Sequence, residues 1–255
     1  MTTRATILAI AGQLLLGMPP VSAQWPTTRD STIPRAAGDG PNLSAVAPKR
    51  ADGRPDLSGV WQVGQERLRN LANAGVEIPM QPWAEAVYKE RQSTFVRDIP
   101  SVRCLPHGTP AQMLVRNVPF KIIHTDRVLV MLFELFAEFR QIFTDGRALP
   151  TDANPTWFGY SVGKWEGDTL VVETTGFHDR KWLDLAGHPH SEALRTVERI
   201  RRLDVGRMEM QLTIDDPKAY RQPWTVTVPF ELMPDAELIE HICENEKDQP
   251  HLVGR

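Results

Sequence analysis

Between residues 157 and 202 the chain crowds three histidines (His178, His188, His190), three tryptophans (Trp157, Trp165, Trp182) and a carboxylate, Glu198, on an otherwise apolar strand face. Imidazoles and carboxylates beside large aromatic rings suit a site for a small, partly apolar molecule. His190 is the preferred acid–base residue. It stands where the histidine loop enters the Glu198 strand, so the carboxylate could orient its ring and stabilise its charged form. Two further strands place ionisable groups on a face shared with apolar neighbours: His124 with Phe120 and Ile122, and Glu134 and Arg140 with Leu132 and Phe136. An unpaired buried carboxylate is unfavourable, so Glu198 is expected to pair with Arg140 or His124, or to keep its proton through a raised pKa. The expected roles are His190 as acid or base, Glu198 as its partner, Arg140 as holder of an oxyanion or carboxylate, and His124 as a second proton carrier. Trp157, Tyr160, Trp182 and Glu134 complete the set as substrate-binding groups.

Each choice has a structural alternative. A Glu198–Arg140 pair could simply fix strand register, and His188-Pro-His190 could be a turn stiffened by Pro189. Two histidines two residues apart, with a carboxylate, could also seat a metal ion. The intervening proline and the lack of a helical His-x-x-x-His pair weigh against that, so neither metal nor cofactor is expected. What favours chemistry is the loop from Phe177 to Ser191, which carries His178, Asp179, Asp184, His188 and His190 in a connection too long for a simple hairpin. No Gly-x-Ser-x-Gly elbow, phosphate-cradling loop or dinucleotide fingerprint occurs.

The elements that must hold these residues alternate with period two. Met208, Met210, Leu212 and Ile214 alternate with Glu209, Gln211 and Thr213, and Trp224, Val226, Val228 and Phe230 with Thr225 and Thr227, the pattern of half-buried antiparallel strands. Further strands are expected over 117–125, 159–165, 169–175, 193–203 and 237–243. Residues 128–143 read as one long strand ending in the Asp145-Gly146 turn, with Leu129, Met131, Phe133, Leu135 and Phe139 on one face and Glu134, Glu138 and Arg140 on the other. Pro82 ahead of Trp83, Ala84, Val87 and Tyr88 predicts one short helix. The expected fold is therefore mainly β, an antiparallel up-and-down β-barrel with one short N-terminal helix; a β-sandwich is the alternative.

The flanks and composition set the compartment. Arg4 followed by an apolar run, then Val21-Ser-Ala23, reads as a signal peptide over 1–23, too short to span a bilayer and broken by Pro19 and Pro20. Residues 24–55, rich in Pro, Gly, Ala and charge, read as a disordered linker, 56–247 as one barrel domain and 248–255 as a tail. The two cysteines, Cys104 and Cys243, both lie in the exported part and are expected to form a disulfide. A formal net charge of −3 gives no electrostatic case for nucleic acid. The expected partner is a small-molecule ligand or substrate, with no membrane insertion after signal cleavage.

Asp56-Leu-Ser-Gly-Val-Trp61 resembles the Gly-x-Trp opening strand of lipocalin-like barrels. Phe139-Arg-Gln-Ile-Phe-Thr-Asp-Gly-Arg147, the segment from Pro155 to Phe177 containing Gly159-Tyr-Ser-Val-Gly-Lys-Trp-Glu-Gly-Asp168, and His188-Pro-His-Ser191 together resemble a largely uncharacterised family of exported bacterial proteins. The likeness spans roughly Asp56 to Gly254. It implies a compartment and an architecture and carries no particular activity. The function expected from the residues is an exported, cofactor-independent enzyme of lyase, isomerase, cyclase or hydrolase type, acting by proton transfer on a small aromatic or polycyclic molecule inside the barrel. The alternative is a periplasmic carrier of a small hydrophobic ligand, without catalysis.

Overall fold

Nine strands close into a barrel in the computed structural model, which describes residues 29–243. They are β1 (Gly59–Val63), β2 (Phe120–His124), β3 (Val128–Phe133), β4 (Glu138–Phe143), β5 (Tyr160–Glu166), β6 (Thr169–Thr175), β7 (Arg195–Arg202), β8 (Arg207–Asp215) and β9 (Trp224–Leu232). Strand order follows the chain, and β1 pairs antiparallel with β9 to complete the ring, which leaves no free-edged sheet. An odd number of strands that all alternate in direction cannot close this way. The ring closes because β4 and β5 run parallel, joined by residues 144–159 instead of by a hairpin. The closed barrel decides against the sandwich. The expected signal (1–23), residues 24–28 and the expected tail (248–255) lie outside the described residues.

Two expectations about strands fail. Residues 128–143 form a hairpin, not one strand, because Phe136 and Ala137 adopt left-handed backbone conformations (φ 66° and 51°) and turn the chain between β3 and β4. Leu129 then pairs with Ile142, Met131 with Arg140 and Phe133 with Glu138, so odd positions of β3 share a face with even positions of β4. Phe139, expected on the face of Leu129 and Met131, therefore lies outside, 60% exposed, while Arg140 lies inside beside Met131 and Ile142, where its expected pairing with Glu198 requires it. Residues 237–243 form no strand; a single bridge, Leu135 to His241, holds that segment beside the β3–β4 turn. The Cys104–Cys243 disulfide forms as expected, across 139 residues.

The helix α1 (Pro82–Ser93) starts with Pro82 in its first turn, where the missing N–H is no loss. It lies over the barrel end at which β2, β4, β5, β7 and β9 begin. Trp83 Nε1 donates to the Lys218 carbonyl (2.7 Å), Arg91 Nη1 to the Gly187 carbonyl (2.9 Å), and Tyr88 stacks on His188. The connection 176–194 covers the same end.

Residues 29–55, which composition assigns to a linker, run along the barrel with specific contacts. Ile33 is buried, Arg35 pairs with Asp235, and the carbonyls of Leu43 and Ala45 accept from Gly206 and Val205. Side chains fill the interior. Trp61, Phe120, Ile122, Leu129, Met131 and Phe230 belong to one continuous apolar cluster.

Candidate active site

Polar residues replace apolar ones at the capped end. Strand register carries one inward row from Ile142 through Ser161, Thr174, Thr196 and Ile214 to Trp224. Arg140 projects into this region from β4. Its Nε donates to Ser161 Oγ (3.1 Å), Nη1 to Thr109 Oγ1 (3.4 Å) and Glu198 Oε2 (2.9 Å), and Nη2 to Thr174 Oγ1 (2.9 Å) and Glu198 Oε1 (3.0 Å). A guanidinium has five N–H groups, and all five are engaged. Both oxygens of Glu198 are engaged in turn. Glu198 does lie among Leu194, Thr196 and Ile200, all buried, as its strand pattern predicts.

That saturation overturns two expected roles. Arg140 has no hydrogen left for a substrate oxyanion, and Glu198 meets Arg140 instead of orienting His190. The His190 ring, also buried, directs Nδ1 at the Ser191 carbonyl (2.8 Å), which makes Nδ1 the protonated nitrogen and leaves Nε2 buried without a partner. Burial first, then the Lys181 charge, hold its pKa well below the usual imidazole range.

Lys181 carries no expectation from the sequence, yet it is fully buried and its Nζ has no hydrogen-bond partner. The amine stands 4.5 Å from the centre of the Phe177 ring. Burial, followed by the nearby Arg140 charge, lowers its pKa to about 7, against the opposing pull of Glu198 and Asp216. Flanking basic Arg180 and amphipathic Trp182 hide this residue from pattern reading, since a lysine in a polar loop is ordinarily exposed.

The other candidates separate. His188 is pinned by Asp184, whose Oδ2 lies 2.6 Å from Nδ1 while Oδ1 accepts from the backbone of Ala186, Gly187 and His188. The histidine loop is thus a fixed cap. His124 lies at the opposite barrel rim, stacked on Trp165 with ring centres 5.6 Å apart, and burial lowers its pKa to about 4. It is too far along the barrel to serve as the second proton carrier at the capped end. Trp182 is buried under the Arg91 guanidinium, 4.3 Å from its ring centre, and Glu134 sits in the β3–β4 turn, where it accepts from Ile239 N. Neither lines a cleft with Trp157 and Tyr160. Among the described residues no three His, Cys, Asp or Glu side chains gather as metal ligands.

Trp157 and Tyr160 do come together, at the seam. The β4–β5 ladder contains only Ile142–Ser161 and Phe143–Val162, so residues 138–141 diverge from 156–160 and leave a cleft of about 520 Å³. Phe139, Phe143, Trp157, Phe158 and Tyr160 line it, with Arg140 and Ser161 at its base. Gly108 lets the neighbouring loop approach: its φ is +67°, and a Cβ there would sit 2.0 Å from the Trp157 carbonyl oxygen. Arg147 Nη1 donates to the Tyr160 hydroxyl oxygen (3.1 Å), which leaves the phenolic hydrogen free to donate elsewhere.

Glu138 supplies the titratable group of the cleft. It shares the inward side of β4 with Arg140, its Oε2 is buried without a partner, and burial raises its pKa to about 7. The sequence pattern puts Glu138 on one face with Glu134 and Arg140 and gives it no role in the expected site. The available signal was the Glu138, Arg140, Ile142 alternation, which marks an inward face once β4 is separated from β3.

Comparison with family models, curated proteins and solved structures finds no match for this chain.

Proposed function

We propose that this protein is an exported enzyme that performs acid–base chemistry on a small, partly aromatic molecule held in the seam cleft, with Glu138 exchanging the proton. The observation that carries the reading is the Glu138 carboxyl, half-buried in an aromatic cleft with one oxygen unpaired. A carboxyl whose pKa lies near 7 exists in both forms near neutrality, so it can take a proton from one atom of the substrate and return it to another. The Tyr160 hydroxyl, polarised by Arg147, is placed to donate to a substrate oxygen. Isomerase and lyase chemistry fit such a pair best. Export is supported by the N-terminal signal pattern and the disulfide; no described helix is long and apolar enough to cross a membrane.

Arg140 and Glu198 keep a positioning role in this reading. Arg140 links β4 to β5, β6 and β7 through Ser161, Thr174 and Glu198, where the backbone ladder at the seam is only two pairs long. The network ties β4 to the facing strands beside the cleft.

The test is mass spectrometry of small molecules that co-purify with the exported protein, comparing wild type with Glu138→Gln. A molecule retained by the variant and converted by wild type supports the enzyme. The same molecule recovered unchanged from both would make the protein a carrier, the reading that the aromatic lining also suits.

A further inference from the structure

We propose that the cleft selects a cationic ligand, an aromatic or alkyl amine in protonated or quaternary form, whose charged nitrogen is received by Glu138 among the aromatic rings. The inference rests on the cleft being the binding site, and it names the charge of what binds there.

Glu138 is the one acid among the lining residues and Arg140 the one base. All five Arg140 N–H groups point to Ser161, Thr109, Thr174 and Glu198, so an anionic ligand finds no free cation at the base of the cleft. A cation meets the one carboxylate of the lining, which forms no ion pair among the described residues and whose buried Oε2 has no hydrogen-bond partner. A neutral ligand gains from the rings alone.

An aromatic face attracts a cation through its quadrupole. Two lining rings already do so: the Arg147 guanidinium lies 3.8 Å from the centre of Phe143, and that of Arg180 lies 5.8 Å from the centre of Trp157. Arg147 is itself neutralised by Asp145, which accepts from its Nε and Nη2, so it does not set the sign of the cleft. Carboxylate and aromatic walls together are the chemistry that recognises an organic ammonium.

Calorimetric titration of the full chain with phenyltrimethylammonium, its neutral isostere tert-butylbenzene, and benzoate tests this. The ammonium is expected to bind at least about tenfold more tightly than the isostere, and benzoate more weakly than either. Glu138→Gln should bring the ammonium down to within about twofold of the isostere, with isostere affinity unchanged, which shows that the variant is folded. Phe143→Leu, which removes a ring and keeps the charge, should weaken the ammonium and leave it ahead. Equal binding of ammonium and isostere, or preference for benzoate, overturns the cation assignment and leaves the cleft as a site. Binding of none of the three overturns both readings together.

Discussion

Arg140 and Glu198 meet end to end inside the barrel, Nη1 to Oε2 at 2.9 Å and Nη2 to Oε1 at 3.0 Å, and so tie β4 to β7 across the two strands between them. Parallel pairing at the seam explains why a side-chain bridge is needed. The β4–β5 ladder has two residue pairs where β5 and β6 have seven, and the inward guanidinium supplies bonds that the backbone there does not. Such a pair is strongly held only while it is complete, because either partner alone would be a buried, uncompensated charge.

Removing one partner should therefore be worse than removing both. Arg140→Met or Glu198→Leu is expected to destabilise the fold by about 3–5 kcal/mol, and the double variant to regain a good part of that loss. Urea unfolding of the three variants measures the coupling. Simple addition of the two single losses would refute the bridge as described.

Lys181 should make stability depend on pH. The unfolded amine binds its proton below 10.5 and the folded amine only below about 7. Between those values the unfolded state holds more protons, so this residue makes stability climb as pH rises from 7 to 10.5 and contributes no slope below 7. Lys181→Met should flatten that climb and raise stability at pH 7 by on the order of 3–5 kcal/mol. A variant less stable than wild type at pH 7 would show that the amine contributes favourably in solution.

Glu138 should act in the opposite direction and at lower pH. Its folded carboxyl keeps the proton up to about 7, while the unfolded one releases it near 4.5. The folded state holds more protons across that window, so the contribution is greatest below 4.5, declines as pH rises and is constant above 7. Carbon NMR of the free protein should show one glutamate titrating near 7, absent in Glu138→Gln. The same variant should lower turnover by about 10²–10⁴-fold, the usual contribution of a positioned acid or base. A glutamate titrating near 4.5 in its place would remove the basis for the proton-transfer role.

Opening the Cys104–Cys243 disulfide frees a loop of 139 residues and releases the segment bridged at His241 from the β3–β4 turn. The double serine variant is expected to lose on the order of 4–5 kcal/mol by the chain-entropy account, seen as a lower thermal midpoint with barrel circular dichroism retained at room temperature. An unchanged midpoint would mean that the unfolded chain is already restricted without the bond.

Much of the fold is legible in local pattern. Strands β5 to β9 announce themselves by period-two alternation and by turns such as Glu166-Gly167-Asp168, and α1 by Pro82 at its start. Arg140 with Glu198 is legible too, since a buried carboxylate demands a cation and few are available. The hairpin inside 128–143 is not legible in the same way. Period two runs through the segment, and only the left-handed Phe136 and Ala137 reveal that the chain reverses there.

The sequence by itself determined the class of structure, mainly β with a closing disulfide, because alternation, turn residues and cysteine count act over a few neighbours or by mere presence. It also singled out Arg140, Glu198, Trp157 and Tyr160. Tertiary structure alone decided which groups they meet. Face parity inverts across the β3–β4 turn, which sends Arg140 inward to be saturated and Phe139 outward. Parallel pairing of β4 with β5 opens the cleft that joins Trp157 and Tyr160 to Glu138. Those outcomes depend on which distant strands become neighbours, and the burial that shifts Glu138 and Lys181 toward neutral pH arises only after the ring has closed.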